Sequence, residues 1–232
     1  MKVLYEGKAK QILETEQENQ YLIHYKDDTT AGNGEKHEKF VGKGEINNAI
    51  SCIIFQMLEE AGIPTHMIKK INERDVLVKK VTIFPLEVII RNVTAGSFCR
   101  RVGVEEGQVL AEPIFEFSYK NDDYGDPLIN DDHVVAMQLA TREEIAYIRK
   151  QTLQINRLLQ EFFLQFNLRL VDFKIEFGKT DAGEILLADE ISPDSCRLWD
   201  KDTNQKYDKD VFRLDMGDLM ATYQEVLRRL QK

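Results

Sequence analysis

With 232 residues the chain is long enough for one large domain or two lobes, and a chain of this size should bury roughly 70% of its unfolded surface. A hydrophobic share of 43%, 31% charged residues and no run of 18 apolar residues describe a soluble globular protein and argue against a membrane partner. The net charge of −9 argues against a general affinity for nucleic acid, which needs a basic surface, but leaves small anions as partners wherever Lys and Arg gather locally.

The opening "MKVLYEGKAK" enters strand-like sequence without the apolar block and small-residue cleavage site of a signal peptide, so a cytoplasmic location is expected. Residues 3–30 read as short strands with β-branched and aromatic residues at alternate positions, an antiparallel meander. From Gly44 to Ala61 the stripe Ile46, Ile50, Ile53, Ile54, Met57 and Leu58 has helical spacing and is closed by Gly62 and Pro64, predicting a helix packed on that sheet. "THMIKKI" and "VLVKKVTIFPLEVIIR" return to a strand pattern, and Pro85 inside the second marks a break. A lobe boundary near residue 82 follows, dividing 1–82 from 83–232. "SYKNDDYGDPLINDDH" is an acidic loop of a length that carries function or disorder. Thr141 with Glu144 has the spacing of a capping box, and Ile145, Ile148, Ile155, Leu158, Leu159, Phe162 and Phe166 continue it as one long helix. A hairpin comes next, and "GDLMATYQEVLRRLQK" forms a further amphipathic helix. The fold class is α+β.

In "VDFKIEFGKTDAGEILLADEI", Asp172, Lys174 and Glu176 share one side of an alternating run, with Val171, Phe173, Ile175 and Phe177 on the other. Residues two apart on a strand point the same way about 6.6 Å apart. An even-numbered turn puts Asp189 on the same face, opposite Asp172 or Lys174 according to register. Two carboxylates from adjacent strands with a lysine between them suit a Mg²⁺ that also holds phosphate oxygens. A solvated sheet face with an ordinary ion pair would show the same alternation. The nearly continuous apolar run before Asp189 reads as a strand covered on both faces and favours a buried site.

Three cysteines, Cys52, Cys99 and Cys196, without a CxxC pattern read as reduced thiols, and His24, His37, His66 and His133 add no metal motif.

"LVDFKIEFG" at 170–178 and "IFPLEVIIRNVTAGS" at 83–97 closely resemble the two signature segments of SAICAR synthetases, the phosphoribosylaminoimidazole-succinocarboxamide synthases of purine biosynthesis. "YEGKAKQI", the "KND" and "DP" of the acidic loop, and "DEISPDSCRLWD" resemble further family segments in the same order, from about Tyr5 to the C-terminus. The resemblance implies a two-lobed fold of antiparallel sheets with packed helices, related to ATP-grasp enzymes and protein kinases. It implies a ligase that uses ATP and Mg²⁺ to join L-aspartate to the carboxylate of 5-amino-1-(5-phosphoribosyl)imidazole-4-carboxylate (CAIR) through an acyl phosphate. A homo-oligomer, with a dimer favoured, goes with it.

Residue by residue, the resemblance implies an ATP site at Gly7, Lys8, Ala9, Lys10 and Ile12, with Ile83 helping to sandwich the adenine and backbone contacts near Lys79 and Val81. A glycine turn lets backbone N–H groups approach phosphates, and Lys8 and Lys10 can offset triphosphate charge. Two lysines on an edge strand also deter aggregation, and plain sheet core accounts for the apolar positions singly. Glu176 and Asp189 are the expected Mg²⁺ ligands. Lys174 is expected to steady the migrating phosphoryl group, with Asp172 orienting the imidazole amine or Lys174, and with Lys120, Asn121 and Asp122 closing over the substrates. Arg91, Ser97 and Arg197 are expected to hold the ribonucleotide phosphate. There a strand ends in Arg91, turns through Ala95 and Gly96 and starts a helix at Ser97, and helix N-termini bind phosphate, although Ser97 also suits a plain N-cap. Arg100 and Arg101 read as surface charges.

The sequence departs from the family pattern at Asn33 in "TTAGNG", where relatives carry Asp, which puts an acidic role there in doubt. Cys196 stands at a position associated with small polar residues, with sensitivity to thiol reagents as the expected consequence. Against another phosphoryl-transfer enzyme on the kinase-like fold stand the missing HRDxxxxN loop and the missing GxGxxG before Lys8. A non-catalytic nucleotide-binding protein would bind ATP without turnover.

Overall fold

Alternating β-branched and aromatic residues build the meander of β1 (Val3–Glu6), β2 (Lys10–Glu14) and β3 (Gln20–Tyr25), antiparallel throughout. The computed structural model describes residues 2–31 and 36–232, and Asn33 lies outside the described residues. A separate ribbon of β4 (Asp28–Ala31) and β5 (Lys36–Lys39) precedes α1 (Lys43–Glu60). The strands β6 (Met67–Lys70) and β7 (Asp75–Lys79) complete a five-stranded sheet in the order β1-β2-β3-β7-β6. Lys10 therefore sits on a strand with neighbours on both sides, so protection of a sheet edge does not explain it.

The larger, seven-stranded sheet draws on β8 (Thr82–Ile83), β9 (Leu86–Val93), β10 (Val109–Tyr119), β11 (Leu128–Ile129), β12 (Leu168–Lys179), β13 (Ile185–Ala188) and β14 (Cys196–Asp200). Its helices are α2 (Gly96–Val102), α3 (Asp131–Ala136), α4 (Arg142–Gln165), α5 (Asp210–Arg213) and α6 (Leu219–Leu230). β12 is the spine. Its first half lies between β9 and β14, and its second half between β8 and β13. Pro85 makes the predicted break, separating β8 from β9 along the same side of β12.

The α4 capping box forms as predicted: Thr141 Oγ1 accepts from the Glu144 amide at 3.2 Å, and Glu144 Oε2 accepts from the Thr141 amide at 2.8 Å. The acidic loop is ordered rather than disordered, because it contains a 3-10 turn at Asp122–Tyr124, the strand β11, and a second capping box at Asn130 that starts α3. Among the described residues no helix is long and apolar enough to cross a membrane.

Helix α1 does more than cover the small sheet. Its buried Ile46, Ile50, Ile54 and Leu58 join the main apolar cluster with Ile90, Phe173, Leu159 and Val226, while Ile23, Tyr25, Val76 and Val78 form a smaller cluster under the five-stranded sheet. Each such side chain contributes about 1.5–3 kcal/mol through burial. At the start of α1, Lys43 is fully buried; its Nζ donates to the Asp28 carbonyl at 2.8 Å and pairs with Asp194 at 2.7 Å. Asp194 also accepts from Asn47 Nδ2 at 2.8 Å and Tyr223 OH at 2.7 Å, tying α1, α6 and the segment after β13 together.

Candidate active site

The alternation of β12 puts Asp172, Lys174 and Glu176 on one face, but that face is not solvated. Asp172 is 4% and Glu176 3% exposed, which rules out a wet row of ion pairs. Register decides what each meets. Asp172 lies directly opposite Arg91 on β9 and opposite Arg197 on β14. Asp172 Oδ2 accepts from Arg91 Nη1 at 3.1 Å and from Arg197 Nη1 at 2.9 Å. Its oxygens are taken by the two guanidiniums and not by Lys174, so the idea that it orients Lys174 is replaced by one in which it sets the two arginines.

The charge row continues outward on both sides. Arg91 Nε donates to Glu116 Oε2 at 2.7 Å, and Arg197 Nε donates to Asp210 Oδ2 at 2.7 Å. Against the cost of burial, Arg197 and Arg213 hold the Asp210 carboxyl down to about 2. Burial pushes the neighbouring Asp208 up to about 7, with the Asp210 charge adding to it. Arg197 also lies flat against Gly96, where a Cβ would stand 2.6 Å from Arg197 Cζ, and Gly96 has φ +57°. Only glycine suits that backbone and that approach. Two local expectations change here: β9 runs two residues beyond Arg91, and α2 begins at Gly96 with Ala95 as its N-cap, so Ser97 is inside the helix and not its cap. Ser97 Oγ accepts from Arg91 Nη2 at 3.4 Å and from Arg101 Nη1 at 3.3 Å. Arg101 is thus joined to this row and is not a free surface charge.

Two residues along β12 a second cluster begins. Lys174 Nζ lies 2.8 Å from Glu176 Oε1, 3.4 Å from Asp189 Oδ2 and 3.5 Å from Glu87 Oε1. Although burial opposes its charge, these three carboxylates hold the Lys174 ammonium well above its ordinary range. Lys120 reaches Glu176 Oε1 at 2.6 Å, and Lys10 pairs with Asp189 and, at 3.2 Å, with Glu190. Burial works against the Asp189 charge as well, but Lys10 and Lys174 hold its carboxyl far below the usual range.

Asp189 does not arrive by cross-strand pairing. β13 pairs Ala188 with Glu176 and ends there, and Asp189 turns with φ +60°, which swings its carboxylate to Lys174. The expected positions opposite Asp172 or Lys174 are therefore not the ones adopted. Glu87, Glu116, Glu190 and Asp210 were not singled out from the sequence. Glu87 had a signal, since alternation along β9 puts it on the same face as Arg91.

The turn after β1 carries Lys8 to Asp122 at 2.7 Å, and the Gly7 amide donates to the Lys10 carbonyl at 2.8 Å. Asn121 caps the short turn that presents Asp122, accepting from the Asp123 amide at 3.1 Å. Ile12, half-buried on β2, pairs with Ile23. The half-buried Ala9 has its carbonyl occupied by the Lys26 amide at 2.8 Å, and the Lys79 amide donates to His66 at 2.7 Å. Val81 and Ile83 come together over Gly178, where a Cβ would stand 2.5 Å from Val81 Cγ2 and 3.3 Å from Ile83 Cδ1. Cys196 is buried, and burial pushes its thiol far above the usual range, both of which argue against the expected sensitivity to thiol reagents.

The guanidinium clamp at Asp172 and the ammonium–carboxylate cluster at Lys174 and Glu176 lie side by side on β12 of an α+β fold, a site of the kind that suits anionic groups. The SAICAR synthetase family model matches residues 3–230, and the chain belongs to that family. The phosphoribosylaminoimidazole-succinocarboxamide synthase of Finegoldia magna is 64% identical over 231 residues, covering 100% of both chains. The crystal structure of the corresponding Ehrlichia chaffeensis enzyme superposes with a TM-score of 0.97 at 43% identity, covering 99% of this chain and 98% of the other. A type-2 SAICAR synthetase in complex with ADP gives 0.95 at 45% identity, covering 97% and 96%. The family makes this an ATP-dependent ligase of purine biosynthesis.

Proposed function

We propose that the protein joins L-aspartate to the carboxylate of CAIR, giving SAICAR, ADP and phosphate, and that it does so through an acyl phosphate in a cleft between lobes 1–82 and 83–232. The observation that carries the reading is that the Arg91–Asp172–Arg197 clamp and the Lys174 cluster share one face of β12. A ribonucleotide phosphate held by Arg91, Ser97 and Arg197 leaves its base end free to reach Lys174 along the strand. The related type-2 enzyme is in complex with ADP, which supports a nucleotide as a substrate, and the reading puts that nucleotide on the other side of the cluster. There Gly7, Lys8 and Lys10 would meet the phosphates, while Ala9, Ile12, Val81 and Ile83, with backbone near Lys79, would surround the adenine.

Amide formation from a carboxylate and an amine is uphill at neutral pH. A CAIR carboxylate oxygen attacks the γ-phosphorus and ADP leaves. The aspartate amine then attacks the acyl carbon, loses a proton and expels phosphate. Both steps gather negative charge, so positioning and neutralisation are what the protein supplies. Lys174 and Lys10 stand where such charge would develop, and Lys120, with Asn121 and Asp122, closes the cluster from the loop after β10.

Mg²⁺ fits the donor set, since Glu176 and Asp189 approach a common ammonium at 2.8 and 3.4 Å and Glu190 Oε2 is buried without a hydrogen-bond partner. Among the described residues no group of three or more His, Cys, Asp or Glu side chains is placed to hold a metal ion by itself. Two carboxylates plus substrate phosphate oxygens are what Mg²⁺ accepts. When bound, the ion would neutralise phosphate charge between Glu176 and Asp189.

The reading includes a cytoplasmic homodimer, and sedimentation of a monomer at working concentrations would contradict the assembly. The activity is tested by ADP release with ATP, Mg²⁺, CAIR and L-aspartate, each omitted in turn. ADP formation that continues unchanged without CAIR or aspartate would contradict the ligase reading.

A further inference from the structure

Glu116, on β10, gives one carboxylate oxygen to each of two arginines. Its Oε2 accepts from Arg91 Nε at 2.7 Å, and its Oε1 accepts from Arg101 Nη2 at 2.6 Å. The same two guanidiniums donate to Ser97 Oγ at 3.4 and 3.3 Å, and both lie by the Phe98 ring, 5.8 and 5.9 Å from its centroid. Arg91 and Arg101 thus flank Ser97 as a pair, joined behind by one carboxylate and beside by one aromatic ring.

A solitary surface ion pair contributes little, but this arrangement is not solitary. The Glu116 side chain is 14% exposed and the Arg91 side chain 4%, while Arg101 keeps 34%, so the cluster is closed at its back and open at Arg101. The contacts to Glu116 are short and charge-assisted. Those to Ser97 Oγ exceed the usual 2.7–3.2 Å range, so these donors are only weakly used. Along the row, Arg101, Arg91, Arg197 and Arg213 alternate with Glu116, Asp172 and Asp210. Of Arg91, Arg101 and Arg197, whose side chains are 4%, 34% and 17% exposed, Arg101 is the one most open to an incoming anion.

We propose that Arg101 is a third arginine of the ribonucleotide-phosphate site, and that Glu116 is the positioning residue that sets Arg91 and Arg101 on either side of Ser97. The proposal rests on the phosphate reading of Arg91, Ser97 and Arg197. A phosphate monoester offers three terminal oxygens, enough for Arg197, Arg91 and Arg101 to take one each with Ser97 adding a hydroxyl. Arg101, on the open side, would be the first of the three to meet the phosphate and the last to release it.

The experiment compares the wild type with Arg101→Gln, Arg101→Lys, Glu116→Gln and Arg197→Lys. KM is measured for CAIR, ATP and aspartate separately, with competition against CAIR by ribose 5-phosphate and by inorganic phosphate, and with melting temperatures. Arg101→Gln is expected to raise the KM for CAIR by about tenfold, the loss of one charge-assisted contact. Its KM values for ATP and aspartate and its melting temperature should stay near wild type. Arg101→Lys should recover part of the loss, and Glu116→Gln should weaken CAIR and both phosphate competitors together. A raised CAIR KM in Arg197→Lys with none in Arg101→Gln would overturn the proposal and leave the phosphate reading standing. No change in either variant would overturn the phosphate reading itself. Equal losses for all three substrates with a lowered melting temperature would show Arg101 to be structural and would also overturn the proposal.

Discussion

Gly96 and Arg197 are pressed together so closely that a methyl group on Gly96 would stand 2.6 Å from the guanidinium carbon. The contact fixes how far Arg197 lies from Asp172, to which its Nη1 donates at 2.9 Å. Gly96→Ala should therefore displace Arg197 and also strain a backbone at φ +57°. The expected result is a folded protein whose KM for CAIR rises by more than about tenfold, since a charge-assisted contact is lost, with the KM for ATP little changed. A normal KM for CAIR would show that the position of Arg197 does not govern that substrate.

Glu176→Gln and Asp189→Asn keep size and remove charge beside Lys174. Both are expected to fold and to lose at least about tenfold in turnover at ordinary Mg²⁺, with partial recovery as Mg²⁺ is raised. Near-normal rates for both would remove them from the metal assignment.

Two buried groups should give stability opposite dependences on pH. Burial lowers the His66 imidazole from 6.5 to about 4, with Asp189 and Lys10 the charged groups facing it. The unfolded chain binds more protons between those values, so this group's contribution is present above 6.5 and lost as pH falls towards 4. Asp208 is raised from 3.8 to about 7 by burial and by Asp210, so the folded state binds more protons and the contribution is lost as pH rises from about 4 to 7. His66→Gln should make the slope of stability against pH more negative between pH 4 and 6.5, and Asp208→Asn should make it more positive. Denaturant melts across that window check both signs, and slopes moving the same way would contradict the assignment.

Lys43→Met removes the cation from a buried pair whose side chains are 1% and 8% exposed. Leaving Asp194 with only the more distant Lys209, at 3.9 Å, should cost about 3 kcal/mol, a fall of roughly 10 °C in melting temperature for a chain of this size. A calorimetric scan measures it, and an unchanged midpoint would mean that Lys209, Asn47 and Tyr223 suffice for Asp194.

Much of this arrangement was legible from two periodicities. The alternation of "VDFKIEFG" gave the face shared by Asp172, Lys174 and Glu176, and the "TREE" capping pattern gave the start of α4 at Arg142. The approach of Asp189 was not legible, because it depends on a residue with φ +60° where the strand has already ended. Nor were the partners of the arginines. Glu116 lies 25 residues beyond Arg91 and Asp210 13 residues beyond Arg197, each on another element, and no local pattern announces an ion pair formed by tertiary packing. The position of α1 between two cores was not legible from its apolar stripe, since Ile53 and Met57 pack with Ile46, Ile50 and Ile54 on the main cluster, and it is Cys52 that meets the smaller one.

In the proposed reaction a CAIR carboxylate oxygen, not water, attacks the γ-phosphorus of ATP. This step is tested most directly by labelling that carboxylate with ¹⁸O and following the label by mass spectrometry of inorganic phosphate and of the product during turnover. The account predicts one labelled oxygen in the phosphate released with each product molecule and the other retained in the amide. Phosphate released in step with product but carrying no label from CAIR would contradict it.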